Sequence, residues 1–217
     1  MAPLVQLERP AAGDPAGILA LHHGRGTDET DLLRLADHLD PEQRLRVVSA
    51  RAPLTLPGSP GYHWYLVPRV GYPDRDSFHA ARAALAGFHD RLWEETGVGP
   101  ERTVLAGFSM GSVMSYAMGL GGDRPAVAGI LAFSGFVPIV DDWAPSLGDR
   151  TGTRAFIAHG RNDPIMEVGF AQRARDLLEA GGLDVTYRES DVGHQIDPAH
   201  LAEASGWLRE TLEPQEG

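Results

Sequence analysis

The chain has no cysteine among its 217 residues. That absence removes disulfide scaffolds, thiolate zinc sites, iron–sulfur clusters and every cysteine-nucleophile mechanism. Lysine is missing too, since all 19 basic residues are arginine. Schiff-base catalysis and the lysine of a phosphate-binding P-loop both need the amine, so both are excluded. Positive charge is scarce, with 19 basic against 30 acidic residues and a net charge of −11. A nucleic-acid partner wants a basic stripe, so none is expected. No run approaches the roughly 18 apolar residues of a membrane span. Met1 to Pro10 carry neither a basic nor an apolar signal region, so a cytoplasmic location is the expectation.

What is present is a globular composition, 42% hydrophobic and 23% charged. It suffices for one domain over residues 1–217, stable without a structural metal. Short apolar runs alternate with helical patterns, which predicts an α/β fold with a mostly parallel sheet. Strands are expected at Ile18–His22, Arg46–Ala50, Thr103–Gly107, Val127–Phe133, Arg154–Ala158 and Val185–Glu189. Helices are expected at Thr27–Leu39, Asp76–Glu95, Met110–Leu120, Ile165–Ala180 and Pro198–Leu212. The stretch from Arg51 to Arg75, rich in proline, glycine and aromatics, is the longest irregular segment, of the kind that forms lids or binding loops.

The sharpest motif is Gly107-Phe108-Ser109-Met110-Gly111, a G-x-S-x-G between a predicted strand and a predicted helix. A serine on such a turn projects its hydroxyl from the top of the sheet, and the flanking glycines suit a crowded backbone. A serine needs a base, and the base an orienting group. Asp163, in His159-Gly160-Arg161-Asn162-Asp163-Pro164, and His194, in Asp191-Val192-Gly193-His194-Gln195-Ile196, each follow a predicted strand. In a parallel sheet those strand ends converge on one crevice. Asp163 also suits a helix cap. Asp191 lies nearer in sequence to His194 but reads as a solvated turn residue, so Asp163 is preferred. His159 is expected to make structural hydrogen bonds near the site. The backbone N–H groups of Arg25, in His22-His23-Gly24-Arg25-Gly26-Thr27, and of Met110 are the candidate oxyanion donors.

Four segments together, Leu21-His22-His23-Gly24-Arg25-Gly26, Gly107-Phe108-Ser109-Met110-Gly111-Ser112, His159 to Pro164 and Gly193-His194-Gln195-Ile196, resemble the motifs of the phospholipase/carboxylesterase family of small α/β-hydrolases. Acyl-protein thioesterases belong to the same group. The resemblance implies an α/β-hydrolase fold with helices on both sheet faces and no large cap domain. It further implies a Ser109–Asp163–His194 triad, no cofactor, no metal, a small-molecule ester or thioester substrate, and often a homodimer. Arg25 departs from it, standing where many members carry an aliphatic residue, which bears on substrate preference. A lysophospholipase or acyl-thioesterase would share the catalytic set, and a non-catalytic binding protein is the rival of a different class. For the pocket, Tyr62, Trp64 and Tyr65 either pack the substrate or anchor the long loop, while Phe136, Val137 and Met166 are candidate walls.

Overall fold

Side chains along a strand alternate between its two faces, and here that alternation sorts the core into two layers. The computed structural model describes residues 3–213. Its strands are β1 (Gln6–Arg9), β2 (Gly17–His22), β3 (Leu45–Ala50), β4 (Thr103–Phe108), β5 (Gly129–Phe133), β6 (Arg154–Gly160) and β7 (Asp184–Ser190). They form one sheet in the order β1-β3-β2-β4-β5-β6-β7. β1 runs antiparallel to β3, and every other neighbouring pair is parallel. Ile18 and Ala20 face a layer made by α3 (Arg75–Thr96), α4 (Met110–Gly119) and α5 (Gly169–Ala180). Leu19 and Leu21 face the opposite layer, made by α1 (Thr30–Leu33), α2 (Ala36–Leu39) and α6 (Pro198–Leu212). Burial on both faces is why β2, β4 and β5 read as unbroken apolar runs.

From β2 the chain first adds β3 on one side and then β4 on the other. The crevice beyond the C-terminal ends of β2 and β4 is therefore the topological switch point of the sheet, the place where open α/β sheets hold ligands. Among the described residues no helix is long and apolar enough to cross a membrane.

Three elements differ from the sequence expectation. The single helix expected at Thr27–Leu39 is two one-turn helices, because Leu35 N–H reaches Leu32 O in a tighter turn between them. The apolar residues Leu32, Ala36 and Leu39 still face the sheet. The helix expected from Ile165 starts at Gly169, since residues 165 and 166 donate their N–H groups to the Asp163 side chain instead. The antiparallel strand β1 was not expected at all. Its four residues are mostly exposed and carry no apolar periodicity.

α4 approaches β2 so closely that a Cβ on Gly111 would collide with the His22 carbonyl oxygen, whereas a Cβ on Gly206 in α6 would meet nothing within 4 Å. Gly111→Ala should therefore lose about 3 kcal/mol or more of stability through overpacking. Gly206→Ala should gain up to about 1 kcal/mol from helix propensity and reduced unfolded-state entropy. Thermal unfolding of the two variants checks this, and equal melting temperatures would show that α4 is free to move off β2.

Candidate active site

Ser109 sits between β4 and α4 with φ 56° and ψ −119°, in the left-handed region that a non-glycine residue avoids. Two contacts hold it there. Its N–H donates to Phe133 O at 2.9 Å, and Ser112 Oγ lies 2.6 Å from Gly107 O and 2.7 Å from Phe133 O. Glycine flanks the turn for reasons of space: a Cβ on Gly107 would strike the Gly111 backbone, as one on Gly111 would strike that of His22.

Loops after β6 and β7 bring the other two groups to this turn. His194 Nε2 is 2.9 Å from Ser109 Oγ, and His194 Nδ1 is 2.6 Å from Asp163 Oδ2. The Phe108 ring packs against the imidazole with centroids 4.9 Å apart. Asp163 Oδ1 accepts the N–H groups of Ile165 and Met166, both at 2.8 Å. Burial pushes the Asp163 carboxyl up, but the Met166 N–H, His194 and the Ile165 N–H together outweigh it and hold the group below the usual carboxylate range. Asp163 caps no helix, because α5 starts only at Gly169 after Val168; its other oxygen holds the turn at Ile165 and Met166 instead. Exposure separates the two candidate carboxylates: the Asp163 side chain is 0% exposed, while that of Asp191 is 81% exposed and pairs with Arg161 at 2.6 Å.

His159 lies in β6 with Nε2 at 2.9 Å from Met166 O and 3.5 Å from Asp163 Oδ2. A carbonyl only accepts, so Nε2 carries the hydrogen and His159 braces the turn that cradles Asp163. Burial lowers its pKa, so it braces that turn as the neutral imidazole.

The loop after β2 closes the other side. His23 Nδ1 is 2.7 Å from Gly24 O, and its Nε2 accepts the Ala52 N–H at 3.0 Å. Gly26 N–H donates to Tyr62 O, and Tyr62 N–H to Thr27 O. Arg25 N–H and Met110 N–H donate to no other protein group among the described residues. Both residues line the cavity that holds Ser109 and His194. A free N–H at Met110 is what the first position of a helix leaves over.

That cavity measures about 330 Å³. Of the expected walls, Tyr65, Phe136 and Met166 line it. Trp64 does not: it is fully buried, its indole N–H donates to His23 O, and its backbone N–H reaches Met110 Sδ. Tyr62 also lies outside, its hydroxyl accepting from Arg51, whose guanidinium stacks on the ring. Val137 borders a neighbouring groove that shares Phe136 and Gly71 with the cavity. Sequence reasoning missed Val67, Arg69 and Val70, which line the cavity from the second half of the 51–75 loop. The length of that loop was the available signal, but length does not say which half crosses the mouth. No cluster of three or more candidate metal ligands occurs among the described residues.

The sequence profile of the phospholipase/carboxylesterase family matches residues 10–212. Among curated relatives, the chain is 28% identical to acyl-protein thioesterase 1 of Gibberella zeae over 180 residues, covering 77% of this chain and 74% of that one. It is 26% identical to the Escherichia coli esterase YpfH over 200 residues, covering 90% and 83%. Of solved structures, esterase PE8 superposes with a TM-score of 0.81 at 29% identity, covering 97% of this chain and 100% of that one. A Bacillus cereus carboxylesterase superposes with a TM-score of 0.84 at 24% identity over 96% and 94% of the two chains, a likeness of fold. The fold is that of the α/β-hydrolases, without a large cap.

Beneath the β2 loop lies a buried polar cluster. His22 Nδ1 is 2.8 Å from Ser115 Oγ, and His22 Nε2 is 3.3 Å from His89 Nε2. Burial, aided by nearby Arg124, pushes His89 down to about 3, and burial with the neighbouring His89 and His23 pushes His22 well below its ordinary 6.5. Both are thus neutral when folded and take up protons when unfolded. Their contribution is complete above pH 6.5 and is lost as pH falls below it; for His89 the loss continues to about pH 3, at about 1.4 kcal/mol per pH unit. Stability from urea unfolding should be flat between pH 7 and 8 and fall steeply between pH 6 and 4.5, with a shallower fall in His89→Leu. An identical slope in that variant would remove His89 as a cause.

Proposed function

The chain belongs to the phospholipase/carboxylesterase family, and on that premise we propose that it is a serine carboxylesterase hydrolysing small to medium carboxylic esters through an acyl-enzyme on Ser109. The observation that carries this reading is the unbroken path from Ser109 Oγ through both nitrogens of His194 to the buried Asp163 carboxylate. A cavity of about 330 Å³ stands at the small end of the roughly 300–1,000 Å³ range of ligand sites, which favours short substrates.

The chemistry follows from these groups. Ser109 Oγ attacks the ester carbonyl carbon while His194 Nε2 takes its proton. Asp163 holds the Nδ1–H and stabilises the imidazolium. The carbonyl oxygen, now carrying negative charge, accepts the N–H groups of Arg25 and Met110, fixed before the reaction begins. The C–O bond then breaks, His194 Nε2 returns its proton to the departing alkoxide, and the acyl group remains on Ser109. Water attacks that acyl-enzyme as His194 Nε2 takes its proton, the bond between the acyl carbon and Ser109 Oγ breaks with that proton passing to Oγ, and the acid leaves and ionises to a carboxylate. A second reading, acyl-thioesterase action, uses the same residues on a sulfur leaving group and draws support from the relatives named acyl-protein thioesterase. Comparing kcat/KM on matched esters and thioesters of equal chain length separates the two.

Ser109→Ala should remove turnover by about 10⁴-fold or more with the melting temperature preserved, and a fluorophosphonate probe should label Ser109 alone. An unlabelled wild-type protein would favour the non-catalytic binding role. Asp163→Asn should cost on the order of 10⁴-fold in kcat by stabilising the wrong tautomer, and Asp191→Asn far less. A reversed order would assign the carboxylate to Asp191.

The oxyanion role of the β2 loop rests on the backbone, so it is read by comparing two substitutions at one position. Arg25→Pro, which lacks the N–H, should be about 10²–10³-fold slower in kcat than Arg25→Ala. Equal rates in two folded variants would reject the role.

A further inference from the structure

The 51–75 loop and the β2 loop each place one arginine on the rim of the cavity, Arg69 and Arg25. Elsewhere the arginines of this acidic chain are mostly matched to carboxylates, as Arg51 is to Glu29, Arg154 to Asp184 and Arg161 to Glu189. Among the described residues no carboxylate pairs with Arg25 or Arg69. Asp31 is the one acidic residue at the cavity, and its carboxylate is engaged by Arg34 at 2.8 Å.

Arg69 is held in place. Its guanidinium carbon stacks 3.7 Å from the centre of the Tyr72 ring, and Tyr72 N–H donates back to Arg69 O at 3.1 Å. Between them Gly71, at φ 90°, packs against the edge of Phe170. The backbone beside Arg25 is tied down by the Gly26 N–H, which donates to Tyr62 O at 2.9 Å. The rest of the cavity near these two groups is apolar, with Val67, Val70, Phe136, Ile165 and Met166. Arg25 and Arg69 thus border an apolar cleft with no carboxylate partner among the described residues, so their charges add positive potential around it, against the negative field of the whole chain.

We propose that Arg25 and Arg69 form a carboxylate-recognition subsite, so that the preferred substrates are esters bearing a free carboxylate separated from the scissile carbonyl by a short aliphatic or aromatic spacer. The inference rests on the esterase reading of Ser109. A carboxylate on the acyl side, as in a half-ester of a dicarboxylic acid, and one on the leaving group offer the same chemistry to the guanidiniums.

The test is a ratio. For the acyl side, kcat/KM on 4-nitrophenyl hemiglutarate is divided by that on 4-nitrophenyl butyrate. For the leaving-group side, 4-acetoxybenzoate is set against phenyl acetate. In at least one arm the wild-type ratio should exceed the ratio of the two uncatalysed rates by tenfold or more. Arg69→Gln and Arg25→Gln should each lower it by roughly tenfold, Arg69→Lys should restore much of it, and raising salt from about 50 to 500 mM should erode it. Normalising to the neutral ester cancels any general effect of a substitution on the catalytic machinery. Ratios in both arms that stay unchanged in Arg69→Gln and Arg25→Gln would overturn the subsite and leave the esterase reading intact. Binding of glutaric acid monoanilide and of neutral butyranilide to Ser109→Ala reads the subsite without turnover. Tighter binding of the anion, lost in the Arg69→Gln background, supports the subsite even if no ester is hydrolysed. Equal binding of the two anilides overturns it.

Discussion

Everything at the site hangs on one steric contact, the approach of α4 to the end of β2. Gly111 lets the helix backbone lie directly on the His22 carbonyl, and Gly107 lets the preceding strand turn back beneath it. This closeness holds Ser109 in a backbone conformation that costs of order 1–3 kcal/mol. It also brings the first turn of α4 alongside the β2 loop, so the free N–H groups of Met110 and Arg25 border one cavity. A Cβ at Gly107 would push against the Gly111 backbone and one at Gly111 against that of His22, so either would force the serine turn away from the β2 loop. The strain is carried by hydrogen bonds across the sheet, from Ser109 N–H and from Ser112 to Phe133 O, so β5 acts as the anvil for the turn.

Most of the fold was legible in the sequence because the parallel strands are buried on both faces and the long helices carry one apolar stripe. The α6 bounds, Pro198–Leu212, coincide with the expectation because Asp197 caps the first turn and Pro198 suits the first helical position. What was not legible had competing uses for its backbone. Ile165 and Met166 have helical periodicity, yet their N–H groups serve the Asp163 carboxylate, and the helix waits until Gly169. Residues 30–39 keep the apolar spacing of a helix while a tight turn at Leu35 divides it. β1 forms through backbone pairing with β3, which leaves no mark in side-chain pattern.

The candidate site divides the same way. Ser109, Asp163 and His194, the proposed proton-transfer set, could be picked out because such a role admits very few residue types, and the strand that precedes each one brings them within hydrogen-bond distance. Pocket walls face no such restriction. Trp64 has the composition of a substrate platform but acts as a strut, tying His23 O and Met110 Sδ together from behind the β2 loop. Tyr62 spends its ring on Arg51. Arg69 lies in an irregular segment whose path over the mouth depends on the 69–72 turn, which local composition does not specify.

Two carboxylates near His194 show how the same side chain takes opposite roles through its surroundings. Asp191 lies in water, bound to an Arg161 that is itself half exposed, and solvent screens whatever field it sends to the imidazole. Asp163 has no solvent, so its charge is held by two backbone N–H groups on one oxygen and by His194 on the other. The N–H groups need the chain to turn sharply just after β6, and His159 secures that turn through Met166 O. Removing water makes the Asp163–His194 attraction strong, and the two peptide donors keep the buried carboxylate ionised so that the attraction exists. Neither part works alone: burial without the N–H groups would neutralise the acid, and the N–H groups in water would leave it too well screened to hold a histidine in place.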